Sequence, residues 1–385
     1  MRLPKRFGGL SQPNGIGQVK AQLEAAGIRL TDLTDSNPTH FGLGTPQVLE
    51  VVADAARRAT RYSPDPQGPL PAREALAARF GGGPEEYWLT ASTSEAYAWI
   101  FKLLCEPGEA VAVPTPGYPL VEPLAALNDI TTVCFPWHYL PAEGWYLDCD
   151  LMAQATQRPQ VKGLVLVNPG NPTGTYLNPA VREAAVEACS SGGCVLVVDQ
   201  VFAPFVLEGE RFNLAGEEPV VSFAFDGLSK LLCAPGLKIS WLRLSGPEDQ
   251  LQPLRSALGQ IADAYLSVNA PAALALPELL NLSDGVVENT RQRLLLNLVT
   301  ARQILDAPPY RVRRCEGGWS AVVDVPAVLP DDDLVIHLMR HAGLAVHPGW
   351  FYDLAEPATL VLSLLPPPAV FAENCGRLRA AIDAL

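Results

Sequence analysis

The stretch Asn168-Pro169-Gly170-Asn171-Pro172-Thr173-Gly174 decides the fold, because it follows directly on the apolar run Val161–Val167. A short, β-branched and nearly continuous apolar run is typical of a buried strand in a mostly parallel sheet. Prolines and glycines restrict the turn, so a side chain such as that of Asn171 has little entropy left to lose. We interpret the turn as a means of orienting an amide, and an ordinary connecting turn is the less favoured alternative.

Two titratable residues follow later strands. Asp199 comes after the apolar run 194–198, where an unpaired carboxylate is costly. Lys230 follows the strand 220–225 and the turn Asp226-Gly227, where burial or a nearby cation would lower its pKa and leave it nucleophilic. An amide, a carboxylate and an amine are what pyridoxal phosphate (PLP) needs for its oxygen, ring nitrogen and aldehyde. The alternatives are a cap or arginine partner for Asp199 and a solvated loop position for Lys230.

Strand-like and helix-like segments alternate along the chain, which predicts an α/β architecture. The predicted strands are 87–90, 110–113, 131–135, 161–167, 194–198, 220–225 and 238–244, and clear helices are 94–105 and 179–189. After them come a helical region from about 255 to 304 and a strand-rich pattern from 310, which ends in a helix over 371–385. We therefore expect a large domain over 46–284, and a smaller domain from 285–385 together with 1–45, which includes an N-terminal arm.

Composition limits the function classes. The 385 residues, 48% of them hydrophobic, are enough for an ample core, and the net charge of -13 repels nucleic acid and anionic lipid surfaces. No apolar run approaches membrane-spanning length. The eight cysteines are scattered singly and the histidines have no metal-site spacing, so we expect reduced thiols, no bound metal and a cytoplasmic protein.

The order and spacing of these motifs resemble the aminotransferase class I/II family, the fold-type I PLP enzymes related to aspartate aminotransferase. The similarity covers nearly the whole chain. It is carried by Asn37-Pro38-Thr39, 62–68, Arg73-Glu74-Ala75, 92–96, 114–119, 168–174, Asp199, Ser229-Lys230, 235–238 and His347-Pro348-Gly349. The resemblance implies a large domain with a mostly parallel seven-stranded sheet and a smaller α+β domain.

The resemblance also implies roles for individual residues around PLP. Lys230 would form the internal aldimine and move the proton between the substrate α-carbon and the cofactor. Asp199 would keep the ring nitrogen protonated, which makes the ring an electron sink. Asn171 would bind the phenolic oxygen, and Tyr118 would stack on the ring.

The phosphate of PLP would lie at the start of the helix 94–105, since helix N-termini bind anions. The residues that the resemblance assigns to it are Thr93, Ser94, Ser229, Lys238 and, from the neighbouring subunit, Tyr62. The last assignment implies a homodimer with shared active sites.

Four positions depart from the family pattern. Phe202 replaces a tyrosine that binds the phenolic oxygen, Gly227 replaces a serine, and Lys238 replaces a phosphate-binding arginine. Val361 replaces the arginine that grips the substrate α-carboxylate, so either another cation binds that group or the substrate lacks it. The candidate substitutes are Arg243, Arg313 and Arg314, although a surface role is favoured for each. Trp319 and Trp350-Phe351-Tyr352 are candidates to line an apolar or amine-binding pocket, with core packing favoured for each alone.

The predicted function is therefore a PLP-dependent aminotransferase that moves an amino group between an amino donor and a 2-oxo acid. The same cofactor serves lyases and decarboxylases, because the bond that breaks depends on its alignment with the ring. A third reading is a non-catalytic binding or regulatory protein that keeps the fold. The retained Lys230, Asp199 and Asn171 argue against the last.

Overall fold

The computed structural model describes residues 4–7, 14–212 and 219–385. Residues 1–3 and 8–13 of the predicted small domain, and 213–218 of the large one, lie outside this part. The described strands are β1 (Thr31–Asp32), β2 (Tyr87–Thr90), β3 (Ala110–Thr115), β4 (Thr131–Leu140), β5 (Gly144–Leu147), β6 (Val161–Val167), β7 (Val195–Asp199), β8 (Ser222–Gly227), β9 (Ser240–Ser245), β10 (Arg311–Val312), β11 (Ser320–Asp324), β12 (Leu344–Ala345), β13 (His347–Pro348) and β14 (Thr359–Ser363).

Most of the described α-helices lie between these strands in the chain. They are α1 (Gly15–Ala25), α2 (Pro46–Arg58), α3 (Leu70–Phe80), α4 (Thr93–Leu104), α5 (Val121–Leu127), α6 (Cys149–Thr156), α7 (Pro179–Gly192), α8 (Leu228–Leu231), α9 (Glu248–Tyr265), α10 (Ala270–Leu305), α11 (Asp331–His337) and α12 (Pro368–Asp383). The predicted helices lie at α4, α7, α9, α10 and α12, with ends that differ by a few residues.

The large sheet has the strand order β2-β9-β8-β7-β6-β3-β4-β5. Strands β8, β7, β6, β3 and β4 pair in parallel, whereas β9 lies antiparallel between β2 and β8. This confirms the α/β fold with a mostly parallel sheet. The sheet has one strand more than the seven predicted, because the chain turns back after β4 and adds β5 antiparallel to it.

Side chains of the central strands alternate between two apolar layers. In β6, Leu164 and Leu166 pack on one face with residues of α6 and α7, whereas Val165 packs on the other with α4, α5 and α9. Both faces of the sheet are thus covered, which explains why these strands read as continuous apolar runs. The carboxyl ends of the parallel strands β4, β3, β6, β7 and β8 therefore lie along the same edge of the sheet.

A second, four-stranded sheet has the order β10-β11-β14-β13 and is antiparallel. The short strand β1 pairs with β12 in parallel, so the N-terminal segment packs on the C-terminal part of the chain. The predicted boundary at 284/285 falls inside α10, which runs without interruption from Ala270 to Leu305. The division into two domains stays a prediction.

Three features of the described residues bear on membrane insertion, metal binding and disulfide formation. Within the described ranges, no helix combines the length and apolarity that crossing a bilayer requires. In the same part of the chain, no three His, Cys, Asp or Glu side chains are grouped as a metal site would need. All eight cysteines are free thiols.

Candidate active site

A cavity of about 290 Å³ opens where β6, β7 and β8 end, and Val167, Asp199 and Gly227 from these ends line it. Six of the predicted site residues line it together: Thr93, Tyr118, Asn171, Asp199, Ser229 and Lys230. A larger cavity of about 450 Å³ lies around Arg79 and Asp226 and contains none of the predicted site residues. The smaller cavity is therefore the candidate active site.

Lys230 lies in the one-turn helix α8 and projects into an aromatic corner of the cavity. Its Nζ is 4.8 Å from the centroid of the Trp319 ring and 5.5 Å from that of Phe202. Burial lowers the pKa of Lys230, while Cys233 and Asp199 oppose this shift. A larger fraction of neutral amine follows, and the neutral amine is the nucleophilic form.

Asp199 ends β7 and is only 2% exposed. Its Oδ2 accepts a hydrogen bond from the Tyr97 hydroxyl at 3.1 Å, and its Oδ1 accepts one from the Val201 N–H at 3.1 Å. Burial nevertheless raises the pKa of Asp199 to about 6, against these two hydrogen bonds and the charge of Lys230. Burial therefore destabilises the carboxylate form, and a cation in the cavity would offset this cost.

The two asparagines of the 168–174 turn have different roles. The fully buried Asn168 donates from Nδ2 to the Phe212 carbonyl at 2.8 Å and accepts from the Leu177 N–H at 3.0 Å, so it fastens the turn. Asn171 lines the cavity, and its side-chain amide has no hydrogen-bond partner among the described residues. Its amide is thus available to a ligand.

Hydroxyl groups collect near the start of α4. Thr93 is the first residue of this helix, and the Ser92 hydroxyl caps it by accepting from the Glu95 N–H at 3.2 Å. The first N–H groups of a helix have no acceptor within it, so an anion is stabilised there. The hydroxyls of Ser229 and Ser240 belong to the same cavity. Sequence reasoning missed Ser240, whose signal is its position opposite Gly227 in the β8–β9 pair.

Three predicted residues do not line the cavity. Ser94 follows Thr93 in the first turn of α4. Lys238 is exposed and has a left-handed backbone with φ of 54°. Tyr62 is 79% exposed and belongs to a different cavity, which Leu266 and Ser267 also line.

Val361, which we expected in place of a carboxylate-binding arginine, does not line the cavity. It is 3% exposed in β14 and belongs to the same apolar cluster as Val322 and Leu354. Among the described residues that line the cavity, Lys230 is the one lysine or arginine.

None of the three proposed substitute arginines reaches the cavity. Arg243 pairs with Glu86 at 2.6 Å, and the exposed Arg314 pairs with Glu316 at 3.0 Å. The expected surface role of Arg313 is wrong, since this residue is 3% exposed. The ion pairs and aromatic rings around Arg313 explain its burial: Asp324 at 2.8 Å, Glu356 at 3.4 Å, and the Tyr139 and Trp145 rings at 4.8 and 5.1 Å.

Aromatic and neutral polar groups from the C-terminal part of the chain also line the cavity. Trp319, Phe351 and Tyr352 line the cavity, whereas Trp350 donates from its indole nitrogen to Asp332 at 2.9 Å. His347 lies 3.3 Å from the Tyr352 hydroxyl, and burial lowers its pKa to about 4, so its imidazole is neutral at pH 7. Further lining residues that sequence reasoning did not single out are Thr34, Ser36 and Ser320.

Comparison with known proteins decides which family this arrangement represents. The family model for aminotransferase class I and II matches residues 29–371. The chain belongs to this family. It is therefore a class I/II aminotransferase, an enzyme of fold type I that depends on PLP.

Individual relatives extend the comparison over most of the chain. An alanine aminotransferase of Mycobacterium tuberculosis is 30% identical over 377 residues, which cover 91% of this chain and 85% of that protein. An aspartate/prephenate aminotransferase of Thermus thermophilus is 28% identical over 342 residues, 85% of each chain. The structure of an alanine aminotransferase from Pyrococcus furiosus superposes with a TM-score of 0.91 at 22% identity and covers 100% of both chains, a likeness of fold.

The residues of the cavity fit the cofactor of a class I/II aminotransferase. The buried Asp199 is suited to a protonated pyridine nitrogen, and the free amide of Asn171 to the phenolic oxygen. Thr93, Ser229 and the start of α4 are suited to the phosphate. When bound, PLP supplies the electron sink that lets a proton leave the substrate α-carbon.

Proposed function

We propose that this aminotransferase moves an amino group between an amino donor and a 2-oxo acid, with Lys230 and Asp199 as its catalytic residues. The observation that carries the proposal is the meeting of Lys230, Asp199, Asn171 and Tyr118 around one cavity. These residues come from separate loops and strand ends, and each has the chemistry that one part of PLP requires.

Lys230 is assigned to covalent attachment of the cofactor and to proton transfer at the substrate α-carbon. Because burial lowers its pKa, a larger fraction of the amine is free to act as a base. The faces of Trp319 and Phe202 lie close enough to stabilise the ammonium that forms when it takes the proton. The aromatic corner thus supports both protonation states of one side chain.

The substrate end is assigned to a donor that does not depend on an arginine–carboxylate pair. Val361 is packed among apolar side chains, and the neighbouring lining groups are aromatic or neutral. A carboxylate there would receive hydrogen bonds from neutral donors such as the hydroxyl of Ser36, and no bidentate contact. The Thr34 hydroxyl already donates to Asp32 Oδ1. We expect weak discrimination between amino acids and simple amines of similar shape.

Spectroscopy of the purified enzyme tests the proposal. Absorbance of the bound cofactor should change when an amino donor is added and return when a 2-oxo acid follows. Alanine and aspartate are the first donors to test, given the names of the relatives, together with amines that lack a carboxylate. Borohydride should trap the cofactor on the peptide that contains Lys230. Trapping on another peptide, or net release of ammonia or carbon dioxide, would contradict the proposal.

We further propose a homodimer in which Tyr62 contributes to the partner's phosphate site. Its side chain is 79% exposed and does not line the cavity of its own chain, as expected if it serves a neighbouring subunit. Light scattering should give twice the mass of one chain. Tyr62→Phe should weaken PLP binding about tenfold without changing this mass, and a monomeric wild-type enzyme would refute the assignment.

A further inference from the structure

Ser240 is a buried residue at the start of β9 and lines the cavity. Strand β9 lies between β2 and β8, so Ser240 faces Thr90 on one side and Gly227 on the other. Thr90 leads into the start of α4, and Gly227 leads into Ser229 and Lys230. Ser240 therefore lies between the two segments that are suited to the cofactor phosphate.

The Ser240 hydroxyl has no hydrogen-bond partner among the described residues. At the far end of the same strand pair, the hydroxyls of Ser222 and Ser245 lie 2.9 Å apart and satisfy each other. The Ser240 Oγ is not one of the fully buried, unpartnered side-chain atoms of the described residues, so it is open to the cavity. A hydroxyl that is unpaired within the protein and open to the cavity is available to donate to a ligand oxygen.

Gly227 explains why the hydroxyl is at this position. A Cβ atom placed on Gly227 would lie 2.3 Å from the Ser240 Oγ and 2.9 Å from its Cβ. The backbone of Gly227 is extended, with φ of -176°, and any residue can adopt it. The side chain of Ser240, together with its Cα atom at 3.1 Å, therefore excludes a larger residue here. Its hydroxyl occupies the space in which the serine that the family places at 227 would begin.

We propose that Ser240 is a phosphate-binding residue of this enzyme and supplies, from the neighbouring strand, the hydroxyl that Gly227 lacks. The inference rests on the proposed binding of PLP at Lys230. The hydroxyl donates to a phosphate oxygen beside Thr93 and Ser229, which line the same cavity. The hydroxyl at this place thus comes from β9 and not from β8.

The experiment compares two cofactor forms that differ only in the phosphate. Enzyme freed of cofactor is titrated with PLP and with pyridoxal, and dissociation constants are measured from the change in absorbance. Ser240→Ala should bind PLP about tenfold more weakly and pyridoxal unchanged. Ser245→Ala, which removes a buried hydroxyl from the same strand outside the cavity, should leave both constants unchanged.

Two outcomes separate this inference from the proposed function. If the wild type binds neither compound, the proposed function fails and the inference with it. If the wild type binds PLP, but Ser240→Ala binds it equally well or loses both compounds equally, only the role of Ser240 is refuted.

An exchange of the two residues gives a second test. Gly227→Ser alone should weaken PLP binding, because the new side chain collides with Ser240. Combining Gly227→Ser with Ser240→Gly should restore the PLP constant to within about threefold of the wild type, since one serine again reaches the phosphate. A double variant that binds PLP no better than Ser240→Gly would overturn the proposal.

Discussion

The cofactor end and the substrate end of the cavity are built in opposite ways. At the proposed cofactor end, the side chains of Asn171 and Ser240 line the cavity and have no hydrogen-bond partner among the described residues. At the proposed substrate end, no described arginine lines the cavity: Val361 is packed among apolar side chains outside it, and the buried Arg313 pairs with Asp324 and Glu356. The cofactor end thus leaves polar groups available to a ligand, whereas the charge of Arg313 is paired within the protein.

This difference teaches that the groups proposed for the cofactor and those proposed for the substrate come from different parts of the fold. The groups proposed for the cofactor lie at strand ends of the large sheet, which is covered on both faces. Several groups proposed for the substrate lie in β13, in the segment after it and at the start of β11. We therefore expect changes at Val361 to leave the proposed cofactor contacts intact.

The largest effect is expected from removing the amine at the cofactor end. Lys230→Ala should abolish covalent attachment and lower turnover by about 10⁴-fold or more, because nucleophile and proton carrier are lost together. Stopped-flow absorbance with a donor measures this. Lys162→Ala, which removes a lysine paired with Glu109 at 3.2 Å outside the cavity, should change neither quantity. Turnover that survives in Lys230→Ala would contradict the assignment of cofactor attachment and proton transfer to Lys230.

A second prediction concerns the packing of the substrate end. Val361→Arg should destabilise the enzyme by roughly 3 kcal/mol, because it buries a charge beside Val322 and Leu354 without a partner. Val361→Ile should cost about 1 kcal/mol or less. Denaturant unfolding of both variants compares them. An arginine tolerated at no cost would show that this end is a vacant carboxylate site, contrary to the comparison.

A third prediction uses the titration of Asp199 in the cofactor-free enzyme. Its folded pKa of about 6 exceeds the ordinary value of 3.8, so the folded state binds the proton more tightly. Stability should therefore fall as pH rises from about 4 to 6, by an amount on the order of 2 kcal/mol. Asp199→Asn should remove this part of the pH dependence.

Melting temperatures across this pH range, for wild type and variant, provide the measurement. Asp226, whose pKa burial raises to about 7, titrates in both proteins, but the charge of Asp199 contributes to that rise. The difference between the two curves therefore contains this coupling as well as the titration of Asp199. Parallel curves for the two proteins would show that the pKa of Asp199 is not raised in the folded state.

The smallest effect is expected at Phe202. Phe202→Tyr should return a hydroxyl toward the phenolic oxygen of the cofactor and lower the pKa of its absorbance change by about one unit, with turnover altered about threefold. A pH titration of the visible spectrum measures it. The Phe202 ring centroid lies 5.5 Å from that of Trp319. A spectrum insensitive to this change would show that the Phe202 ring does not lie near the phenolic oxygen.

Much of the fold and of the cofactor end could be predicted because local sequence determines them. The runs 87–90 and 161–167 match β2 and β6, since strands covered on both faces read as continuous apolar stretches. The contribution of Ser240 could not be predicted, because it depends on the register of β8 against β9. The burial of Arg313 could not either, since its partner Glu356 is distant in sequence.

The raised pKa of Asp199 has a consequence for the life of the protein in a cell. A chain that gains stability on binding its cofactor unfolds more often when vitamin B6 is scarce, and unfolded chains are the substrate of proteases. Its abundance would then follow the supply of the vitamin without a dedicated sensor. The same buried acid that we propose for the reaction would shorten the survival of each empty copy.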